Sequence, residues 1–253
     1  MKKLIALLCL LSFSLGLMAA NAPALKDETV RYRIMFKWGL INKQAGRASI
    51  TLRDLGDRYS SQLVGISEPW ADKFYMVRDT LNGIMEKHGY RPVFYEKIAH
   101  EDGDHKHDTV KFRYEGSEVI GECTRFVVRK DPKKEKINQK LTLKSVGTTV
   151  DMLSSYYLMR TLPYNEWKPG HKQAVTIFSG KQKETLTFNY KGIEVVKVGS
   201  KRYQCYHVTF TFTGKGGKKT SDNMDAWITT DSQRIPVQLE GKLPVGKVRC
   251  EIY

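Results

Sequence analysis

The chain has 253 residues, with 42 Lys+Arg against 27 Asp+Glu, a formal net charge of +15 and a pI near 9.6. Hydrophobic residues make up 41% and charged residues 27%, and the mean hydropathy is -0.44. That balance excludes a disordered chain, which would be poorer in apolar residues, and a polytopic membrane protein, because only one long apolar run exists.

That run opens the chain. Lys2 and Lys3 form a positive n-region, Leu4 to Leu17 an apolar h-region, and Ala19, Ala20 and Ala22 supply small residues. The pattern predicts a secretory signal peptide over 1–22, cleaved after Ala19 or Ala20; a cut after Ala22 would leave Pro23 at the new terminus. The run is too short and wrongly flanked for a membrane anchor. Cys9 follows Leu8, not the small residue a lipobox needs, so the chain does not read as a lipoprotein. Removal of the leader takes two lysines and no acid, and leaves a strongly basic chain over 23–253 with Cys123, Cys205 and Cys250. An odd number of thiols leaves at least one free or paired between chains. The expected location is across the inner membrane, in the periplasm or associated with the envelope.

Next come short strands. Val30, Tyr32, Ile34, Phe36 and Trp38 are apolar at every second position, with Arg31, Arg33 and Lys37 between them. The same alternation recurs at Ala48-Ile50-Leu52, Val110-Phe112-Tyr114, Leu186-Phe188-Tyr190, Tyr206-Val208-Phe210-Phe212, Ile235-Val237-Leu239 and Val248-Cys250-Ile252. One apolar and one polar face per strand predicts antiparallel pairing with a solvated side. Turn signals such as Gly56-Asp57, Gly103-Asp104, Gly116-Ser117 and Gly214 to Gly217 fall between the runs.

Two segments break the period. After Ser67-Glu68-Pro69, residues Trp70, Phe74, Val77 and Leu81 fall at helical spacing, although Phe74 to Val77 could also start a strand. Thr149 to Leu162 predicts a second helix, with Asp151 in its first turn, Met152, Tyr156 and Met159 on one face, and Pro163 as its stop. No composition shift divides the chain. The expected fold is mostly β: a single large antiparallel sheet curled into an open or closed barrel, with one or two short helices packed on it. A two-sheet sandwich is the alternative.

The second helix also carries a resemblance. Asp151-Met152-Leu153-Ser154-Ser155-Tyr156-Tyr157-Leu158-Met159-Arg160 resembles the D-x-L-S-x-Y-Y-x-x-R signature of the DUF3108 family of exported bacterial proteins. Ala226-Trp227-Ile228-Thr229-Thr230-Asp231 with Arg234-Ile235-Pro236-Val237 resembles that family's ending, and Gln44 to Ala48 and Tyr90 to Tyr95 resemble shorter stretches. The resemblance implies an exported β-rich, barrel-like domain. It assigns no catalytic residue.

Candidates for chemistry are few. His105 and His107, near His100, Asp102 and Asp104, are weak metal candidates without the fixed spacing of a known site. Cys205 and His207 share one side of a strand, but a nucleophile pair also needs an orienting third group. No G-x-S-x-G, H-E-x-x-H or phosphate-binding loop is present, so a hydrolase is the last-ranked reading and no cofactor is expected. Tyr156, Tyr157, Arg160 and Trp227 are the candidate ligand-binding residues, combining apolar bodies with polar tips and an anion-recognising guanidinium. Asp151 and Arg160 would otherwise fasten the helix to the sheet. Arg129, Lys130, Lys133, Lys134 and Lys136 form one basic run, and Lys215, Lys218 and Lys219 another. Export makes nucleic acid an improbable partner for them; a lipid or an anionic envelope polymer fits better. The first expectation is therefore a non-enzymatic carrier for an amphiphile. The alternative is an interaction module docking on anionic envelope surfaces through basic hairpins. The oligomeric state is open.

Overall fold

The computed structural model of the chain describes residues 25–219 and 221–253. The segment expected to be a signal peptide, with its expected cleavage site, and the side chain of Lys215 lie outside that description.

The first strands are β1 (Glu28–Trp38), β2 (Ile41–Asp54) and β3 (Arg58–Ser67). A short helix, α1 (Pro69–Asp72), precedes β4 (Val77–Glu86), β5 (Pro92–Glu101), β6 (Asp104–Glu115), β7 (Glu118–Val128) and β8 (Ile137–Val146). The two-residue β9 (Thr149–Val150) leads into α2 (Ser154–Thr161). The rest is β10 (Lys172–Phe178), β11 (Lys183–Val198), β12 (Lys201–Thr213), β13 (Met224–Thr229), β14 (Pro236–Lys242) and β15 (Lys247–Ile252).

All strands belong to one 15-stranded sheet, in the order β8-β7-β6-β5-β4-β3-β2-β1-β15-β14-β13-β12-β11-β10-β9. Each strand pairs antiparallel with its neighbours except β9, which runs parallel to β10. The two edge strands, β8 and β9, are joined by Gly147-Thr148, and Ser145 Oγ lies 2.7 Å from Thr149 Oγ1 across that link. The sheet is thus a nearly closed barrel-like shell, not a sandwich. Strict hairpin order sends alternate connections to opposite ends. The α2 end carries the β2–β3, β4–β5, β6–β7, β11–β12 and β13–β14 connections. The other end carries the tips of β1–β2, β5–β6, β7–β8, β10–β11, β12–β13 and β14–β15, together with α1.

Inward positions follow the alternation. Val30 and Tyr32 on β1, Ile50 and Leu52 on β2, Tyr59 and Ser61 on β3, and Tyr95 and Ala99 on β5 are all buried. The tip of β10 packs inside as well. A Cβ on Gly121 of β7 would stand 2.5 Å from the Phe178 ring, so only glycine lets that ring lie flat against the strand.

Both helices are shorter than the sequence predicts. Helical spacing after Ser67 yields only α1; Leu81 and Val77 belong to β4, where Leu81 pairs with Leu63 of β3. A helix there would leave β3 unpaired on that side, and the ladder outweighs the short apolar spacing. In the second segment, Thr149-Val150 extends the sheet instead of starting the helix, and Asp151 closes the helix entry. Asp151 Oδ1 accepts the N–H groups of Leu153 and Ser154 at 2.7 Å each, while Ser154 Oγ accepts that of Asp151 at 2.9 Å. This reciprocal pairing satisfies donors that a helix start leaves open.

Candidate functional site

The α2 end is closed by hydrogen bonds. Tyr157 is fully buried, and its hydroxyl accepts a 3.1 Å bond from Ser61 Oγ on β3. The Tyr156 hydroxyl lies 2.9 Å from that of Tyr32, which donates to the Pro236 carbonyl at 2.7 Å. Arg160 is 1% exposed. It pairs with Glu28 of β1 through both terminal nitrogens, and donates to the carbonyls of Arg234 at 3.1 Å and Gln233 at 2.8 Å. Arg234 in turn donates to the Leu162 carbonyl and lies over the Tyr164 and Tyr206 rings. The two stretches that looked most diagnostic in sequence therefore meet in space, with the helix clamped onto the β13–β14 turn. Burial drives the Tyr156 hydroxyl up to about 12 and that of Tyr157 higher, so both stay neutral hydrogen-bonding groups. Burial also lifts the Asp151 carboxyl to about 6, against the pull of the N–H groups it accepts.

Of the four candidate ligand residues, three thus share this end. Arg160 also borders an outer groove of about 610 Å³ with Glu28, Arg31, Gln233 and Tyr253. Its nitrogens are already committed to Glu28 and two carbonyls. Trp227 stands apart on the convex face. It stacks on His207 at 4.8 Å and donates to Glu194 at 2.9 Å.

The remaining candidates are dispersed. His107 Nε2 is 2.8 Å from Glu96, and His105 lies against His100 with ring centres 4.4 Å apart. Among the described residues, no group of three or more His, Cys, Asp or Glu is placed to hold a metal. His207 sits between Glu194 at 2.9 Å and Asp225 at 2.7 Å. Cys205 is buried, and desolvation pushes its thiol to about 12, unlike an activated nucleophile. Cys123, Cys205 and Cys250 are all free. Arg129 and Lys130 are partly tied down by Asp104 and Asp102. Lys133, Lys134, Lys136, Lys218 and Lys219 are exposed.

A second concavity, unforeseen in the sequence, lies at the opposite end. It encloses about 500 Å³ among Ile34, Phe36, Trp38, Ile41, Ile66, Trp70, Phe74, Tyr75, Val77, Leu243, Val245 and Val248, with Ala45, Gly46, Gly65, Ser67 and Ala71. Ser67 is the single hydroxyl amino acid of small size in that wall, and its Oγ is engaged by Asp72, Arg78 and the Val77 N–H. The Trp70 indole donates to the Gln44 carbonyl at 2.7 Å, which fixes α1 across the mouth. The Tyr75 hydroxyl donates to Glu101 at 3.4 Å.

Beside the groove, the inward faces of β4 to β7 carry charge. Lys97 lies 3.2 Å from Glu101 and 3.7 Å from Asp79, Lys106 pairs with Glu101, and Arg125 lies 3.4 Å from Asp108. Burial, opposed by Lys97 and reinforced by Glu101, raises Asp79 to about 6. Burial also opposes the ionisation of Glu101, but bonds and charge from Lys106 and Lys97 win and hold it at about 2. Among the described residues, Asp79 Oδ1, Asp108 Oδ1 and the Tyr95 hydroxyl have no hydrogen-bond partner.

Fold and site together define a β-barrel-like protein with one end sealed by a helix and an apolar groove at the other. The chain belongs to the DUF3108 family, described as a protein of unknown function, whose model matches residues 31–253. A comparison with curated proteins returns no match. Among solved structures, the chain is similar to the crystal structure of a β-barrel-like protein of domain of unknown function DUF1849 from Brucella abortus. The TM-score is 0.65 at 12% identity, covering 92% of this chain and 98% of that one. Similarity at that identity establishes the fold alone. Among the described residues, no helix is long and apolar enough to cross a membrane.

Proposed function

We propose that the protein binds the apolar part of an amphiphile in the groove at the open end of the barrel. The observation that carries this reading is the wall itself: about 500 Å³ bounded by aliphatic and aromatic side chains from three separate hairpins. That volume is in the range of small-molecule sites, roughly 300–1,000 Å³, which are mostly apolar and concave. The α2 end is fastened by buried hydrogen bonds, whereas the groove at the other end presents a continuous apolar wall to solvent. Export through the leader belongs to the same proposal and puts such a carrier among envelope lipids.

Gly65 offers a direct test. It lines the groove, and a Cβ there would meet only Leu63 Cδ2 at 3.9 Å, so a larger side chain enters open space. Dansyl-labelled undecanoic acid should gain fluorescence on mixing with the wild-type chain, and Gly65→Leu should abolish that gain while keeping the thermal unfolding transition. No gain with the wild type, or an undiminished gain in Gly65→Leu, would reject the groove as the site.

A further inference from the structure

The rim of the groove has its own pattern. Three tips surround it: the β1–β2 turn, the exit from α1, and the β14–β15 turn. The first and last are in contact, because β1 pairs with β15 through Lys37 and Lys247, and a Cβ on Gly246 would collide with the Lys37 carbonyl. Each tip pushes large apolar groups into solvent. Leu40 is 105% exposed, Phe74 79% and Trp38 55%. Leu243 and Val245 are exposed likewise.

Lysines bracket those groups. The three segments read Lys37-Trp-Gly-Leu-Ile-Asn-Lys43, Lys73-Phe-Tyr-Met76 and Lys242-Leu-Pro-Val-Gly-Lys247, with no acidic residue in any of them. Lys37, Lys43, Lys73 and Lys242 are exposed, and Lys43 also lies over the Trp70 ring at 4.9 Å. The acids around them are already engaged: Asp72 pairs with Arg78 at 2.6 Å, Glu240 with Lys247 at 2.6 Å, and Glu101 with Lys97 at 3.2 Å. The exposed lysines of the β7–β8 loop, Lys133, Lys134 and Lys136, point from the same end of the barrel.

Exposed leucine and phenylalanine at hairpin tips are costly to keep in water. Set in a collar of lysines, with Trp38 and Tyr75 at its level, they match the layering of a bilayer surface. Apolar groups reach the acyl boundary, amphipathic rings sit at the headgroups, and cations meet anionic lipid phosphate. We infer that this rim docks the protein on the surface of an anionic lipid bilayer, with the β1–β2, α1 and β14–β15 tips inserted. The groove then opens directly onto the leaflet. Docking stands on the exposed tips and their charge, and does not require the groove to hold a ligand.

Flotation with vesicles tests it, using residues 21–253, which omit the expected leader and contain the whole described sheet. The chain should float with phosphatidylcholine vesicles containing phosphatidylglycerol and not with phosphatidylcholine alone. Raising the salt to about 0.5 M should release it, since screening then acts within a few ångström. Leu40→Glu, at a position outside the groove wall, should weaken vesicle partition by about tenfold or more while leaving the dansyl-fatty-acid signal intact. Gly65→Leu should show the reverse: no fatty-acid signal, unchanged flotation. The docking proposal is overturned by absence of flotation, by equal flotation with neutral vesicles, or by undiminished flotation of Leu40→Glu. It is also overturned if Gly65→Leu ceases to float, or if gel filtration shows that the tips instead pair two copies and no vesicle is bound.

Discussion

The two ends of the barrel are made from the same strands and solve opposite problems. At the α2 end, polar groups drawn inside finish on partners: Tyr157 on Ser61, Tyr156 on Tyr32, Arg160 on Glu28. At the other end, apolar groups are left outside: Leu40, Phe74, Trp38 and Val245. Burying polar groups with partners makes a closed, well-specified packing, whereas leaving apolar groups uncovered stores surface for a partner. Stability should therefore be concentrated at one end and binding at the other. Substitutions can break that division of labour.

The largest effect is expected at Arg160. Replacing it by methionine keeps much of the stem but leaves Glu28 and the carbonyls of Gln233 and Arg234 without their donor. Breaking such a buried pair costs about 3 kcal/mol. Urea unfolding should show that loss, and fatty-acid binding at native conditions should be unchanged. A lost fatty-acid signal in a folded Arg160→Met protein would mean that the two ends are coupled, and the comparison would fail.

Asp151 comes next, and its effect depends on pH. Its folded-state value, about 6, lies above the ordinary 3.8. The folded protein therefore holds that proton more tightly than the unfolded chain. This contribution to stability is fully present below the unfolded value and is lost as pH rises through about 6. Asp151→Asn keeps an oxygen for the Leu153 and Ser154 N–H groups and cannot ionise. The stability difference between variant and wild type should grow in the variant's favour by about 2 kcal/mol from about pH 4 to pH 7. Asp79, raised likewise, leaves a residual slope in the variant, and Glu101, held at about 2, acts only at more acidic pH. A pH-independent difference would remove Asp151 from the account of the closed end.

The sequence makes the closed end far more readable than the open one, for a physical reason. Residues Asp151 to Arg160 are contiguous, and their spacing already reveals a capped helix with a basic last turn. Period-two alternation likewise exposes the strands, because each has one face against the interior. It does not say which face is inside, so Trp227 could be placed beside Tyr206 in sequence while it stands outside the barrel on His207. The groove leaves no local mark at all. Its wall draws on residues 34–46, 65–77 and 243–248, which the β2–β3 and β1–β15 pairings bring together. Within the first of these, Lys37 to Lys43 reads as an ordinary turn, and its exposed leucine is single and unremarkable until the neighbouring tips are known. The helix expected after Ser67 failed for a related reason: pairing of β4 with both β3 and β5 is non-local and overrode a short apolar spacing.

The finest division is between a buried hydroxyl and an exposed leucine. Tyr157→Phe removes a single oxygen from a packed ring and strands the Ser61 hydroxyl, which is 4% exposed. The expected loss is about 1 kcal/mol. Leu40→Gln removes a larger apolar surface, yet that surface is already in water in the folded chain. Its change should stay within about 0.5 kcal/mol. The ordering matters more than either size, because a contact-based view of stability and a surface-area view of hydrophobicity rank the two substitutions differently. If urea midpoints show Leu40→Gln to be the more damaging, the β1–β2 tip is packed against something that holds the fold together, and the open end is structural after all. If Tyr157→Phe is the more damaging, Leu40 is free for the bilayer, and its exposure is a cost the fold carries for a partner.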